Sequence, residues 1–387
     1  MDFTIPEELL MIQKLTRKFI QEELLPLERE VEEKDEFPDE LRRRLRKKAV
    51  DLGLYSYHAP IEYGGGGVGL LGSALVVEEL GKVSQAVGLQ GGVIGECRED
   101  WLLEANEQQK KEYLLPFIRG KKEFFLGVTE PNAGSDTSAI ETRAVKSENN
   151  YILNGTKTFI TMADRSDFGL VWVVTDPEKR AHDGITCFIV DKDTSGFTIS
   201  REVKMFGRRG LGTCELNFDN CAVPKEKILG EVGHGIRIAL KGFSQERVRI
   251  AAYCVGAAER SQEMAMSYAK QRVTFGKSLA ERQAIQNMLV DNATNIYAAR
   301  MMAYNTAWEG DQGMDIRTKA MMTKVFASEM ACKAVDDAIQ IHGAYGYSKD
   351  LVLEMIYRDV RLGRIVAGAT EMAKHWISSK LLDVKFA

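Results

Sequence analysis

The chain has 387 residues, 44% of them apolar and 28% charged, with a formal net charge of −4. That length can bury a large core over two or three domains, and the near balance of charge leaves no phosphate-binding face, so nucleic acid is not an expected partner. No apolar run approaches the roughly 18 residues that span a bilayer, and Met1-Asp2-Phe3-Thr4-Ile5-Pro6 has no targeting character, so a cytoplasmic location is expected.

Over residues 7 to about 120, apolar residues recur at spacings of three and four, Leu9, Ile12, Leu15 and Phe19 among them, which predicts amphipathic helices. The basic run Arg42-Arg43-Arg44-Leu45-Arg46-Lys47-Lys48, next to the acidic stretch 28–40, reads as a solvated helix face. Tyr63-Gly64-Gly65-Gly66-Gly67 interrupts the helices with a loop. From about 121 to 230 the period becomes two. The Asn154-Gly155 pair predicts a tight type I′ hairpin, and β-rich runs at 171–175, 185–190, 197–200 and 215–218 predict an antiparallel sheet or small barrel. Beyond Gly233 helical spacing returns, with Val248, Ala251, Val255 and Ala258 on one stripe of a helix bundle. The expected domains are therefore 1–120, 121–232 and 233–387, an α+β multidomain chain. The six cysteines form no CxxC pair and the five histidines no HExxH, so neither a disulfide framework nor a metal site is expected.

One polar loop stands out between apolar segments, Gly127-Val128-Thr129-Glu130-Pro131-Asn132-Ala133-Gly134-Ser135-Asp136. Its plain reading is a surface turn, but such loops also gather the N–H and hydroxyl donors that a cofactor needs. Thr-Glu-Pro-x-Ala-Gly-Ser-Asp, followed by Asn154-Gly155-x-Lys157-x-Phe159-Ile160-Thr161, resembles the flavin-binding signature of the acyl-CoA dehydrogenase family. The resemblance continues to the end of the chain. It implies an N-terminal helical domain, a central antiparallel β-domain and a C-terminal four-helix bundle.

The resemblance also implies roles for individual residues. Leu126, Val128 and Thr129 meet the pyrimidine side of FAD, and Gly134 and Ser135 lie near the diphosphate, Ser135 also near the CoA chain. Phe159 packs on one ring face and Thr161 bonds near N5; without the motif Phe159 would read as a buried strand residue. Arg272-Val273-Thr274-Phe275-Gly276-Lys277 with Gln283, and Gln340-Ile341-His342-Gly343-Ala344, serve the FAD of a neighbouring subunit, which implies a homotetramer built as a dimer of dimers. Arginine suits diphosphate because it donates two parallel bonds; the alternatives are a helix C-terminus for Arg272 and a loop-packing side chain for His342.

The chain departs from the family pattern at the base. Many members carry a glutamate where Ile365-Val366-Ala367-Gly368-Ala369-Thr370-Glu371 has Ala367, and a methyl group accepts no proton. Branches such as the isovaleryl-CoA and long-chain dehydrogenases place the base on a bundle helix, which here implies Glu246 in Phe243-Ser244-Gln245-Glu246-Arg247. The plain reading of Glu246 is an exposed helix carboxylate in an i,i+4 pair. Ser244 and Arg247 correspond to CoA contacts, the Ala367-Gly368 turn to thioester donors, and Ala369 and Glu371 to the FAD side of that loop. Glu96, in the acidic stretch 95–100, is a secondary candidate for proton transfer, with solvated loop charge as the alternative; Arg98 is a candidate partner for a second carboxylate on the substrate. The implied activity is FAD-dependent α,β-dehydrogenation of an acyl-CoA, with electrons passed to an electron-transferring flavoprotein. An oxidase or enoyl-CoA reductase on the same fold, or a flavoprotein scaffold without a base, are the alternatives, and the acyl group stays open.

Overall fold

The computed structural model describes residues 4–179 and 183–384. Met1, Asp2 and Phe3 of the N-terminal segment read above lie outside the described residues. The first domain contains α1 (Glu7–Phe19), α2 (Glu28–Lys34), α3 (Asp39–Asp51), α4 (Gly69–Leu80), α5 (Glu107–Gln109) and α6 (Leu115–Ile118). Leu9 and Phe19 are buried, and Ile12 and Leu15 pack against the same core. Helix α4 is apolar nearly all round and is buried from Gly72 to Leu80, which makes it the central helix of its domain. The basic run on α3 corrects the solvated reading. Arg42 and Arg46 turn inward and share Glu123, at 2.6 and 2.5 Å, while Arg43, Arg44, Lys47 and Lys48 stay exposed.

The middle domain is built from β1 (Phe124–Gly127), β2 (Arg143–Ser147), β3 (Asn150–Thr161), β4 (Phe168–Val174), β5 (Ile185–Asp191), β6 (Phe197–Glu202), β7 (Thr213–Pro224) and β8 (Ile228–Leu229). Their order is β6-β7-β3-β2-β4-β5-β8, with β1 beside β4. Most pairs are antiparallel as expected, but β1 and β2 run parallel to β4. Asn154-Gly155 is not a hairpin turn. It lies inside β3, which pairs with β2 on one side and β7 on the other, and the turn falls at Glu148 and Asn149 instead. Gly155 answers a close approach, since a Cβ there would stand 2.5 Å from Thr142 Oγ1.

The third domain holds α7 (Gly235–Gln271), the short pair β9 (Val273–Thr274) and β10 (Lys277–Ser278), α8 (Gln283–Asp311), α9 (Arg317–His342), α10 (Ala344–Tyr347), α11 (Leu353–Arg361) and α12 (Thr370–Leu381). Helix α7 spans 37 residues and packs on α4, α8 and α9. Val248, Ala251, Val255 and Ala258 are fully buried on its inner stripe. Gly256 lets α7 lie against α4, because a Cβ at that position would meet the Glu78 carbonyl oxygen at 1.9 Å. One hydrophobic core therefore runs through both helical domains. The sheet has its own cores on either side.

Candidate active site

The loop after β1 is fastened from beneath. Lys157, fully buried on β3, donates to Glu130 Oε1 at 2.7 Å and to the Val128 carbonyl at 3.1 Å. Glu130 also accepts the amides of Glu141 (2.6 Å) and Thr142 (3.0 Å). Burial alone would raise Glu130, but Lys157 and these donors outweigh it and hold its carboxyl below the usual range. The Thr158 amide adds a bond to the Thr129 carbonyl at 2.9 Å. This inner zipper leaves the Thr129 hydroxyl with no partner among the described residues. Gly134 and Ser135 are exposed beyond it.

A bulge in β3 between Lys157 and Ile160 re-aims the next side chain. Phe159 takes a left-handed backbone, φ 57, and its ring is 56% exposed, so the buried-strand alternative does not hold. Leu126 packs partly into the sheet core, and Thr161 ends the strand. The Thr161 hydroxyl accepts from Arg208 Nη2 at 3.1 Å.

Helix α7 carries Glu246 toward Arg249, Glu96 and Arg98. Glu246 is partly buried and has no ion pair within 4.0 Å among the described residues, so the exposed i,i+4 alternative does not hold either. Burial raises its carboxyl above the ordinary value; Arg249 opposes and Glu96 adds to the rise. Arg249 is itself pinned by Asp100 (2.5 Å), Ser73 (3.0 Å) and Gln245 (3.0 Å), with His58 bonded to Asp100 at 3.0 Å. Burial would raise Asp100, but Arg249 and His58 hold it down to about 2. Glu96 is not solvated loop charge: its side chain is 8% exposed and pairs with Arg98 at 3.3 Å. Ser244 is buried, donates to the Leu240 carbonyl, and lines a groove of about 670 Å³ with His58, Asp100 and Gln245. Glu246 does not line that groove.

The turn before α12 completes the arrangement. Ala367 and Gly368 have φ of 53 and 98. Arg247 Nε donates to the Ala367 carbonyl at 3.0 Å and Lys324 Nζ to the Gly368 carbonyl at 2.8 Å. With both carbonyls drawn inward, the Ala367 and Gly368 amides have no partner among the described residues. Burial pulls Arg247 down to about 10 and Lys324 down to about 8. The Ala369 amide meets Ser135 Oγ at 3.3 Å, which ties this turn to the loop after β1. Glu371 is exposed in the first turn of α12.

Family models for the N-terminal, middle and C-terminal domains of acyl-CoA dehydrogenase match residues 6–121, 126–221 and 233–382. The chain belongs to the acyl-CoA dehydrogenase family. An acyl-CoA dehydrogenase of Bacillus subtilis is 37% identical over 98% of this chain and 99% of its own. CarC, a subunit of the caffeyl-CoA reductase-Etf complex of Acetobacterium woodii, is 36% identical over 96% and 97%. The structure of butyryl-CoA dehydrogenase from Megasphaera elsdenii superposes with a TM-score of 0.93 at 34% identity, covering 99% of this chain and 100% of that one.

As a member of this acyl-CoA dehydrogenase family the chain is a flavin-dependent oxidoreductase of CH–CH bonds that uses FAD. The residues fit that cofactor, since β3 carries an exposed ring at Phe159 and a hydroxyl two residues on at Thr161, and Lys157 and Thr158 of the same strand hold the exposed polar loop. The two remaining motifs lie at the far end of the bundle. Arg272, Phe275 and Gln283 are exposed, as are Gln340, Gly343 and Ala344. Ile341 is core, and His342 stacks on Tyr268 at 4.4 Å while Nδ1 meets the Ala338 carbonyl. The His342 ring therefore packs, as its plain reading had it. Sequence reasoning gave no role to Lys157, Glu130, Lys324, Arg208 or the Arg249-Asp100-His58 group. Lys157 and Glu130 stood inside a quoted motif and Asp100 inside the acidic stretch 95–100; the others converge from segments far apart in the chain. No helix among the described residues is long and apolar enough to cross a membrane.

Proposed function

We propose that the protein oxidises an acyl-CoA to its 2,3-enoyl-CoA, with Glu246 removing the α-proton. FAD, when bound, supplies the hydride acceptor at N5. The observation that carries the reading is a carboxylate of raised pKa, brought by α7 to face Glu96 and Arg98, in a chain whose Ala367 accepts no proton. Arg247 and Lys324 draw the turn carbonyls inward, which frees the Ala367 and Gly368 amides for the thioester oxygen. Ser135, Ser244 and Arg247 take the CoA chain. Leu126, Val128, Thr129, Gly134 and Ser135 receive the flavin edge and diphosphate, with Phe159 against one ring face, Thr161 at N5, and Ala369 and Glu371 beside them.

Arg272, Phe275, Gln283 and residues 340–344 reach the FAD of a second copy, Ile341 and His342 through their backbone. A dimer is thus the minimum and a dimer of dimers the proposed state, supported by the 98% exposure of Phe275 and the exposed Tyr345 and Tyr347. Electron-transferring flavoprotein is the proposed electron acceptor, as CarC works in a complex with one. Six free cysteines suit a reducing cytoplasm. CarC also favours a second reading, enoyl-CoA reduction, in which Glu246 returns a proton to the α-carbon.

Anaerobic addition of acyl-CoA thioesters tests the proposal: one of them bleaches the flavin, and electron-transferring flavoprotein restores its colour. Flavin that stays oxidised with thioesters but turns over enoyl-CoA when reduced points to the reductase. The pH dependence has a definite sign. Because the base works ionised and burial raises it above 4.5, the rate of flavin reduction rises with pH and levels off above that raised pKa; a rate that falls over the same span contradicts the assignment. Phe159→Gly separates strain from binding. It removes both the ring and the left-handed penalty of about 1–3 kcal/mol, so the apoprotein melts no lower while the Kd for FAD rises; calorimetry and flavin titration read the two effects.

A further inference from the structure

Four buried side-chain atoms without a hydrogen-bond partner among the described residues form one wall beside Glu246 and Thr161: Glu96 Oε1 and the Nε atoms of Arg98, Arg165 and Arg208. Two of these guanidiniums converge on Gln90, Arg165 on its backbone carbonyl at 2.8 Å and Arg208 on its side chain. Arg208 also reaches Thr161, and Glu96 faces Glu246. The wall therefore spans the distance between the proposed base and the proposed N5 contact.

Its charge is incompletely met. Arg98 has Glu96, and the adjoining Arg42 and Arg46 share Glu123. Arg165 and Arg208 have no carboxylate within 4.0 Å among the described residues. Arg208 is 7% exposed, and Asp359 spends its carboxylate on the Arg208 and Gln85 amides, at 2.7 and 3.0 Å, not on the guanidinium. A left-handed backbone, φ 63, holds Arg208 in this position. Burial pulls Arg208 down to about 10 and lowers Arg165 as well. A hydrocarbon chain laid against these groups would leave desolvated charge unpaired, which proteins avoid. A carboxylate would take paired N–H donors from a guanidinium.

We propose that this wall binds a second, anionic carboxylate on the acyl chain, so that the substrates are dicarboxylic acyl-CoA thioesters, with Arg208 and Arg165 as its ligands. The proposal rests on the dehydrogenase reading above and deepens it. Glu96 stays with Arg98 and lines the approach.

The test compares kcat/KM of the FAD-loaded protein for succinyl-, glutaryl- and adipyl-CoA with that for the monocarboxylic thioesters of equal chain length. The best dicarboxylic substrate should exceed its neutral counterpart by about 10⁴-fold, the scale on which a site built to hydrogen-bond a polar group rejects the analogue that lacks it. Arg208→Met and Arg165→Met should each lower that ratio by about 10-fold or more, chiefly through KM, while Arg208→Lys retains part of it as a point charge. Flavin absorbance checks folding, and if Arg208→Met loses FAD then Arg165→Met, which does not touch Thr161, decides. A wild-type preference for the neutral thioester overturns the proposal, as does a ratio unmoved by both methionine variants. Flavin that stays yellow with every thioester removes the dehydrogenase reading itself and this proposal with it, whereas bleaching by neutral thioesters alone leaves that reading intact.

Discussion

Glu246→Gln should lower the rate of flavin reduction by about 10²–10⁴-fold, the usual contribution of a positioned general base. The amide keeps the shape of the side chain and removes only its basicity. Because Glu246 has no ion pair within 4.0 Å among the described residues, the exchange breaks no charge partner. FAD content, melting temperature and KM should therefore stay near wild type while kcat falls. Single-turnover stopped flow measures the step directly, and exchange of the substrate α-proton with deuterated solvent isolates the proton transfer. Glu96→Gln serves as the rival variant, since that carboxyl is buried in the same wall. If Glu96→Gln abolishes exchange and Glu246→Gln leaves it intact, the base has been misassigned.

Lys157→Met should have the largest structural effect. It leaves the Glu130 carboxylate buried against the loop with its cation gone, and removal of one partner from a buried pair costs about 3–5 kcal/mol. The loop after β1 carries Thr129, Gly134 and Ser135, which are proposed FAD contacts, so the same variant should lose FAD. Chemical denaturation and flavin retention on dilution report the two losses separately. By contrast Lys34→Met, which breaks the exposed pair with Glu30, should leave both unchanged, because solvent screens such pairs. The sign with pH follows from Glu130. Its folded pKa is depressed, so its contribution is present above the ordinary carboxylate pKa and is lost as pH falls through the lowered value. Wild-type protein should release FAD on acidification, and Lys157→Met should show a weaker dependence. Equal stability of the two proteins at neutral pH would show that the fastening does not matter.

The order of helix, sheet and helix was legible in sequence because hydrophobic period is local, and Val248, Ala251, Val255 and Ala258 fall on the buried stripe that their spacing predicts. The loop after β1 was legible for the same reason, its donors being consecutive. Asn154-Gly155 misled because its turn preference is weaker than the pairing of β3 on both edges. The basic run misled because Glu123, its buried partner, lies on a segment far along the chain. Arg208, Gln90 and Arg165 carry no local signal of their common destination. Their meaning arises only where three distant turns meet.

The bare α-carbon at Gly256 has a consequence for the chemistry. It sits ten positions beyond Glu246 on α7, about 15 Å along the axis at 1.5 Å per residue, where α7 lies against the Glu78 carbonyl of α4. Even a methyl group would press on a carbonyl oxygen and tilt the rod that carries the proposed base. The aim of the Glu246 carboxylate is thus calibrated from a distance, by a position whose only contribution is to have nothing there.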